Sequence, residues 1–305
     1  MSNSKNAVKS NHIKNRSMSD RIFGAAIIIL SIAIFIIIVY PLWFVIIASV
    51  SNSNLVNLGK VTIWPKDIRF YGFKMIFEDA RIWKGYANTI LYVVAGTALN
   101  MVVTMPAAYA LSRKDFSTRN KIMFYFVFTM FFSGGLVPLY MTVSSLGLIS
   151  TKTILIVFLA INTYNLIIAR TFIQNSIPDE LYEAAILDGC SHFKFFSKVV
   201  LPLSKAIISV LLLYYAVYHW NDYFNALIFN NKAENAPLQT ILREILLLNQ
   251  SFASGSGGVQ GGYAQSSADQ IKYAVIIVST VPILCVYPFI QKYFEKGVMI
   301  GAVKG

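Results

Sequence analysis

Six stretches of this chain carry no charged side chain, and nothing else in it restricts the fold as strongly. Ile22 to Gly59, Tyr86 to Ser112 and Ile122 to Thr151 contain neither acid nor base. Thr153 to Ala169, Ala206 to Asn221 and Tyr273 to Gln291 repeat the pattern over shorter lengths. A spanning helix needs ~20 mostly apolar residues. In lipid every backbone N–H and C=O must find an internal partner, which a helix supplies within its own segment. Charged residues are 13% of the 305, about half the ~25% of a soluble domain. The expectation is an all-α polytopic membrane protein with six transmembrane helices.

The spans are placed at about Ile22 to Val50, Tyr86 to Leu111, Ile122 to Ser144, Thr153 to Ile173, Leu203 to Phe229 and Lys272 to Phe294. Gly134-Gly135 and Pro138 interrupt the third; such breakers are tolerated where neighbouring helices satisfy the freed backbone groups. Residues 1–21 form a polar, basic arm, 22–85 the first span with a polar loop, 86–295 the transmembrane core, and 296–305 a short tail. Ser251 to Ala268, with five glycines, reads as a flexible linker or as a loop that reaches a partner.

A net charge of +12 in a soluble protein would suggest nucleic acid. Here the bases lie between apolar spans, where they set orientation rather than bind nucleic acid. Of 26 Lys and Arg, 16 fall on the side shared by the arm, the 113–121 connection, the 170–205 region and the tail, against 10 on the other. Both termini are therefore expected in the cytoplasm. The first apolar run is far longer than a signal-peptide core of ~7–15 residues, so it is read as a retained helix. Cys190 and Cys285 offer no disulfide framework.

No catalytic set is visible. His12, His192 and His219 lack metal-ligand spacing, and neither a Gly-x-Ser-x-Gly elbow nor a Gly-x-x-x-x-Gly-Lys-[Ser/Thr] phosphate loop occurs. An intramembrane enzyme is thus disfavoured. An ion-coupled secondary transporter needs ionisable groups within its spans; Asp222 alone qualifies, with Arg170 at a span edge. Asn162, Asn165, Trp220, Asn221, Asp222 and Asn225 are the polar and aromatic candidates for a solute path. Interhelical hydrogen bonds that hold the bundle together explain them equally well.

The least membrane-like stretch of the second half is 174–202. Pro178 suits a helix start, and Asp179 and Glu180 then sit at the positive end of the helix dipole. Gly189 is placed to end that helix in a left-handed cap. A second amphipathic turn carries Phe193, Phe196 and Val200, and Leu201-Pro202 breaks it. A hairpin that merely caps its own bundle fits this composition.

The order of the residues says more. Glu183-Ala184-Ala185, then Asp188-Gly189, then Leu201-Pro202 resembles the EAA loop of binding-protein-dependent ABC importer permeases. Ala108-Tyr109-Ala110-Leu111-Ser112-Arg113, Phe132-Ser133-Gly134-Gly135, Trp220-Asn221, Gln291-Lys292-Tyr293-Phe294 and Lys296-Gly297 agree with it. Together they are similar to the carbohydrate-type, MalG-like permeases, especially the LplC/YtcP subgroup associated with oligosaccharide uptake. Lys205-Ala206 departs from a family pattern that often has proline shortly after Leu-Pro. The resemblance implies a second homologous permease subunit, an ATPase dimer that docks at the EAA loops, and an extracytoplasmic solute-binding protein that delivers a carbohydrate. ATP and Mg would be bound by the ATPase, leaving this chain in the cell membrane with no cofactor and no metal. Glu183, Ala184, Ala185, Asp188, Gly189, Leu201 and Pro202 would couple it to the ATPase.

Overall fold

The computed structural model describes residues 18–255, 269–285 and 288. Among them the chain is helical and contains no strand. In chain order the helices are α1 (Met18–Ser49), α2 (Ser53–Asn57), α3 (Tyr71–Glu78), α4 (Ala80–Ser112), α5 (Arg119–Phe131), α6 (Leu136–Ser145) and α7 (Lys152–Val157). Then come α8 (Thr163–Ser176), α9 (Asp179–Leu187), α10 (His192–Phe195), α11 (Lys205–Asn221), α12 (Phe224–Phe229), α13 (Leu238–Gly255) and α14 over 269–285.

The body is built around α4, which packs against α7, α8, α11 and α13. Its inward face reads Gly85, Asn88, Thr89, Gly96, Thr97, Asn100 and Thr104, all buried, while Ile90, Val94 and Val102 are exposed. That inversion of the soluble pattern follows from the solvent. Lipid gives helices no hydrophobic reason to associate, so small residues that permit close approach and polar residues that bond across helices form the interface. At Gly96 the approach is closest: a Cβ there would overlap the ring of His219 from α11.

α1 and α4 are each long and apolar enough to cross a membrane. α1 is exposed throughout residues 25–43 and joins the body only at its end, where Ile47 and Ala48 pack with Val56 and Val61. Helix begins at Met18, inside the stretch expected to be a polar arm; residues 1–17 and the 296–305 tail lie outside the described residues.

The third span, expected to be interrupted at its glycines, is broken, and so are the fourth and fifth, which were expected to be continuous. The third divides at 132–135 into α5 and α6, which meet at 116°, so no single straight helix covers it. The fourth divides into α7 and α8 around 158–162, where Leu159 adopts a positive φ of 55°. Asn100 makes this break tolerable, donating from Nδ2 to Leu159 O (2.8 Å) and Ala160 O (3.0 Å). Its Oδ1 lies 2.8 Å from Nε2 of buried His219. A polar cluster thus does for the freed carbonyls what water does elsewhere. The fifth span begins only after an 82° bend at Ser204 and breaks again before α12.

Two regions expected as loops contain helices. α2 and α3 lie within 51–85, held to α14 by buried Gln270, whose Nε2 donates to Arg69 O (2.6 Å) and Ser51 O (3.3 Å). α13 occupies much of 230–271 and buries Leu238, Ile241, Leu242 and Ile245 beside Ile82 of α4. The glycine-rich piece falls outside the described residues from Ser256 onward.

Candidate functional site

The 178–204 segment folds as a capped, clamped hairpin. Pro178 is the N-cap of α9, one position earlier than its sequence suggests, and Asp179 and Glu180 occupy the first turn. At the other end Asp188 is the C-cap and Gly189 takes φ 70°. Gly189 N donates to Ile186 O and Cys190 N to Ala185 O, each at 2.9 Å. These are the paired bonds of a Schellman motif, which ends a helix by satisfying its last carbonyls. Ser191 then caps α10 through Lys194 N (3.3 Å).

Pro202 explains the next feature. Its ring has no N–H and crowds the carbonyl four residues earlier. The helix widens accordingly into a π turn over Phe196–Val200, with Leu201 N reaching back five residues to Phe196 O. Leu201 is half-buried and Pro202 exposed, just before the bend at Ser204.

What holds the hairpin is Tyr182, which sequence reasoning passed over. It is buried, and the Arg113 guanidinium at the end of α4 stacks 3.3 Å from its ring centroid. Its hydroxyl lies 3.1 Å from a ring nitrogen of His192 and donates to Asp115 Oδ2 at 3.4 Å. Asp179 adds ion pairs to Lys114 (2.6 Å) and Arg113 (3.8 Å). Burial works against the Asp115 charge, but the hydrogen bond and charge of Arg113 outweigh it and hold that carboxyl below its ordinary range. Lys114 is held above its own by the hydrogen bond and charge of Asp179. The available signal was spacing: Tyr182 and Ala185 lie three apart and so share a helix face.

That face decides which of the predicted residues meet the body. Ala185 packs on the core that contains Met105, Tyr109 and Phe195, whereas Glu183, Ala184 and Asp188 are exposed. Glu183 makes no ion pair among the described residues. Beside it stand exposed Leu181, Ile186, Leu187 and Phe193, with Leu187 88% and Phe193 79% accessible. The hairpin thus leaves four large apolar side chains exposed on an otherwise polar segment.

The solute-path candidates separate into groups. Asn162 is the N-cap of α8, accepting from Asn165 N at 3.1 Å, and both asparagines line a cleft of about 360 Å³ between α8 and α11. Tyr164, Tyr214, Tyr215 and Tyr218 complete its walls; none of these tyrosines was singled out in the sequence, where they read as ordinary span residues. Asp222 accepts from Asn225 N (3.2 Å) and Nδ2 (2.8 Å), and Asn225 Nδ2 also donates to Tyr218 Oη (3.0 Å). Trp220 lies apart, donating to Ser279 O at 3.1 Å and bordering an apolar recess with Tyr86 and Ile283. Asn221 is exposed and bonds its own helix at Val217 O (2.9 Å). Among the described residues no cluster of three metal-ligating side chains occurs.

The family described as binding-protein-dependent transport system inner membrane component matches residues 14–300. The chain is 39% identical over 288 residues to the polygalacturonan/rhamnogalacturonan transport system permease protein YtcP of Bacillus subtilis (strain 168), covering 94% of this chain and all of that one. It is 36% identical over 294 residues to protein LplC of the same organism, covering 96% and 99%. A chain from the crystal structure of a bacterial ABC transporter involved in the import of the acidic polysaccharide alginate superposes with a TM-score of 0.81 at 30% identity, over 92% of this chain and 99% of that one.

Proposed function

The chain belongs to the family of binding-protein-dependent transport system inner membrane components, and from that premise we propose how it works within its importer. It is a non-catalytic permease subunit of an ABC importer, resident in the cell membrane, and its carbohydrate transport is powered by a separate ATPase. A solute-binding protein and an ATPase are the partners the family implies.

The finer assignments are our reading. Six spans cross the bilayer, counting each broken helix as part of one crossing, and both termini lie in the cytoplasm with the basic 113–121 connection. ATP and Mg are held by an ATPase dimer and not by this chain. A second, homologous permease covers the bare length of α1, and an extracytoplasmic protein delivers the sugar to the end that carries α3 and α13. Glu183, Ala184, Asp188 and Gly189 form the docking element, with Ala185 and Leu201 supporting it from within and exposed Pro202 setting the π turn and bend that follow it. The observation that carries this is the hairpin itself. A group of large exposed apolar side chains on a polar segment marks an interaction surface, and a lever that transmits force must be capped and anchored, as α9 is by Tyr182 and Gly189.

The test places a charge on the patch. Leu187→Asp alters a side chain that is 88% exposed, so folding and membrane insertion should be unaffected while copurification of the ATPase falls. If the ATPase copurifies with Leu187→Asp at wild-type yield, and its turnover in the complex is unchanged, the hairpin is not the docking element.

A further inference from the structure

The cleft between α8 and α11 is walled by four tyrosine rings, two asparagine amides and Leu159. Tyr164 and Tyr214 are exposed at its rim, 56% and 41% accessible, while Tyr215 is buried at its base. The Tyr215 hydroxyl is already used, 2.7 Å from Thr104 Oγ1 and accepting from Asn162 N at 3.4 Å, so that ring is scaffold. Tyr218 differs. Its oxygen accepts from Asn225 Nδ2, which leaves its own proton free to donate.

Asn165 is the decisive residue. It is 95% buried, with 5% of its surface accessible. Among the described residues its carboxamide has no hydrogen-bond partner, yet it lines the cleft. The small accessible part of this residue opens into the cleft, so its amide donors and carbonyl acceptor remain available to an occupant that both donates and accepts. Asn162 spends its Oδ1 on the helix cap and keeps its Nδ2 for the cleft. Two amides, a polarised hydroxyl and open aromatic faces match a pyranose ring, which presents hydroxyls around its rim and C–H groups on its faces.

Charge narrows the class. No Lys or Arg lines the cleft. Among the described residues, the acidic side chain that its hydrogen-bond network reaches is Asp222, through Asn225 to Tyr218. A uronate carboxylate in this place would lie desolvated without a cationic partner, which is unfavourable. Carboxylate recognition ordinarily uses Arg or Lys. Arg243 of α13 lies over the Tyr223 ring at 5.5 Å and does not line the cleft.

We propose that this cleft is a subsite for a neutral pyranose unit, selecting against uronic-acid units. The proposal rests on the permease reading and adds the substrate class. A volume of about 360 Å³ lies within the ~300–1,000 Å³ of small-molecule sites.

The test uses the assembled transporter in lipid nanodiscs, with Cys190→Ser and Cys285→Ser as background and Tyr214→Cys as reporter. Labelling by a small maleimide is timed alone and with cellotriose, maltotriose, galactotriose or trigalacturonate. At least one neutral trisaccharide should slow labelling severalfold, and trigalacturonate should not. Adding Asn165→Ala should raise the half-protecting concentration about three- to tenfold, the loss of one hydrogen bond. Protection by trigalacturonate equal to that by the neutral sugars, no protection by any sugar, or unchanged protection in Asn165→Ala would each overturn the proposal. ATPase copurification and ATP turnover are read on the same sample. Their absence counts against the permease reading, whereas intact coupling without protection counts against this subsite alone.

Discussion

Replacing Gly189 isolates one physical demand of the hairpin. Its φ is 70°, and a Cβ built there meets nothing within 4 Å. Space is therefore not the obstacle; the backbone conformation is. For an L-residue the left-handed region costs roughly 1–2 kcal/mol, and β-branching makes Val a poor candidate for it. If that strain opens the turn, the two 2.9 Å bonds from Gly189 and Cys190 go with it. A cost of 1–2 kcal/mol corresponds to a roughly 5- to 30-fold shift toward a distorted turn. Asn enters the same region readily and substitutes for Gly at helix ends. Gly189→Val should thus lower both ATPase association and ATP turnover in the assembled complex, while Gly189→Asn retains most of each. Copurification from membranes with equal permease content, with turnover measured beside it, reads the difference. If Val behaves as wild type, the turn's conformation is irrelevant to coupling. If Asn is as damaging as Val, the cause is something other than φ.

The remaining expectations concern the supports of the two sites. Asn100→Leu removes the donor to Leu159 O and Ala160 O and the partner of His219. Each buried group so stranded costs about 1–3 kcal/mol, and the thermal midpoint of the nanodisc-held protein should fall; an unchanged midpoint refutes the capping role. Tyr182→Phe keeps the ring under Arg113 but loses the hydroxyl contacts, so it should weaken ATPase association less than Tyr182→Ala, as copurification will show. The hairpin clamp also has a defined pH window. Asp115, depressed in the folded state, contributes fully above its ordinary 3.8 and loses that contribution as pH falls through its lower folded value. Lys114, raised, contributes below its ordinary 10.5 and loses it as pH climbs through its higher folded value. Protection of the α9 amides, corrected for intrinsic exchange, should therefore not respond to Asp115 or Lys114 between those limits and should fall beyond either; a step inside the window would point to a group other than these two.

The membrane class and the family were legible in the residues because both are local properties. A charge-free run long enough to cross lipid is a statement about one segment, and the Glu183 to Pro202 order is another. Gly189's left-handed turn was equally readable, since only glycine takes that conformation without strain. The continuity of the spans was not. Whether Thr153 to Ile173 runs straight depends on Asn100, more than fifty residues earlier, being at hand to cap the carbonyls freed at Leu159 and Ala160. Nor could spacing show that α13 is a helix packed on α4, because that requires the apolar face of Leu238, Ile241, Leu242 and Ile245 to find its partner.

The sites divide in the same way. By itself the sequence determined that a capped helix follows Pro178, and that Asn162, Asn165, Asp222 and Asn225 are polar groups in apolar surroundings which need partners. Only the tertiary structure decided that Ala185 faces inward while Ala184 faces out, because Tyr182 is held by Arg113 from the end of α4. It likewise decided that Asn165 opens into a tyrosine-walled cleft while Trp220 does not, since that depends on how α8 and α11 meet around α4. Helix periodicity fixes which residues share a face; which face meets a neighbour is set by the packing of the whole bundle.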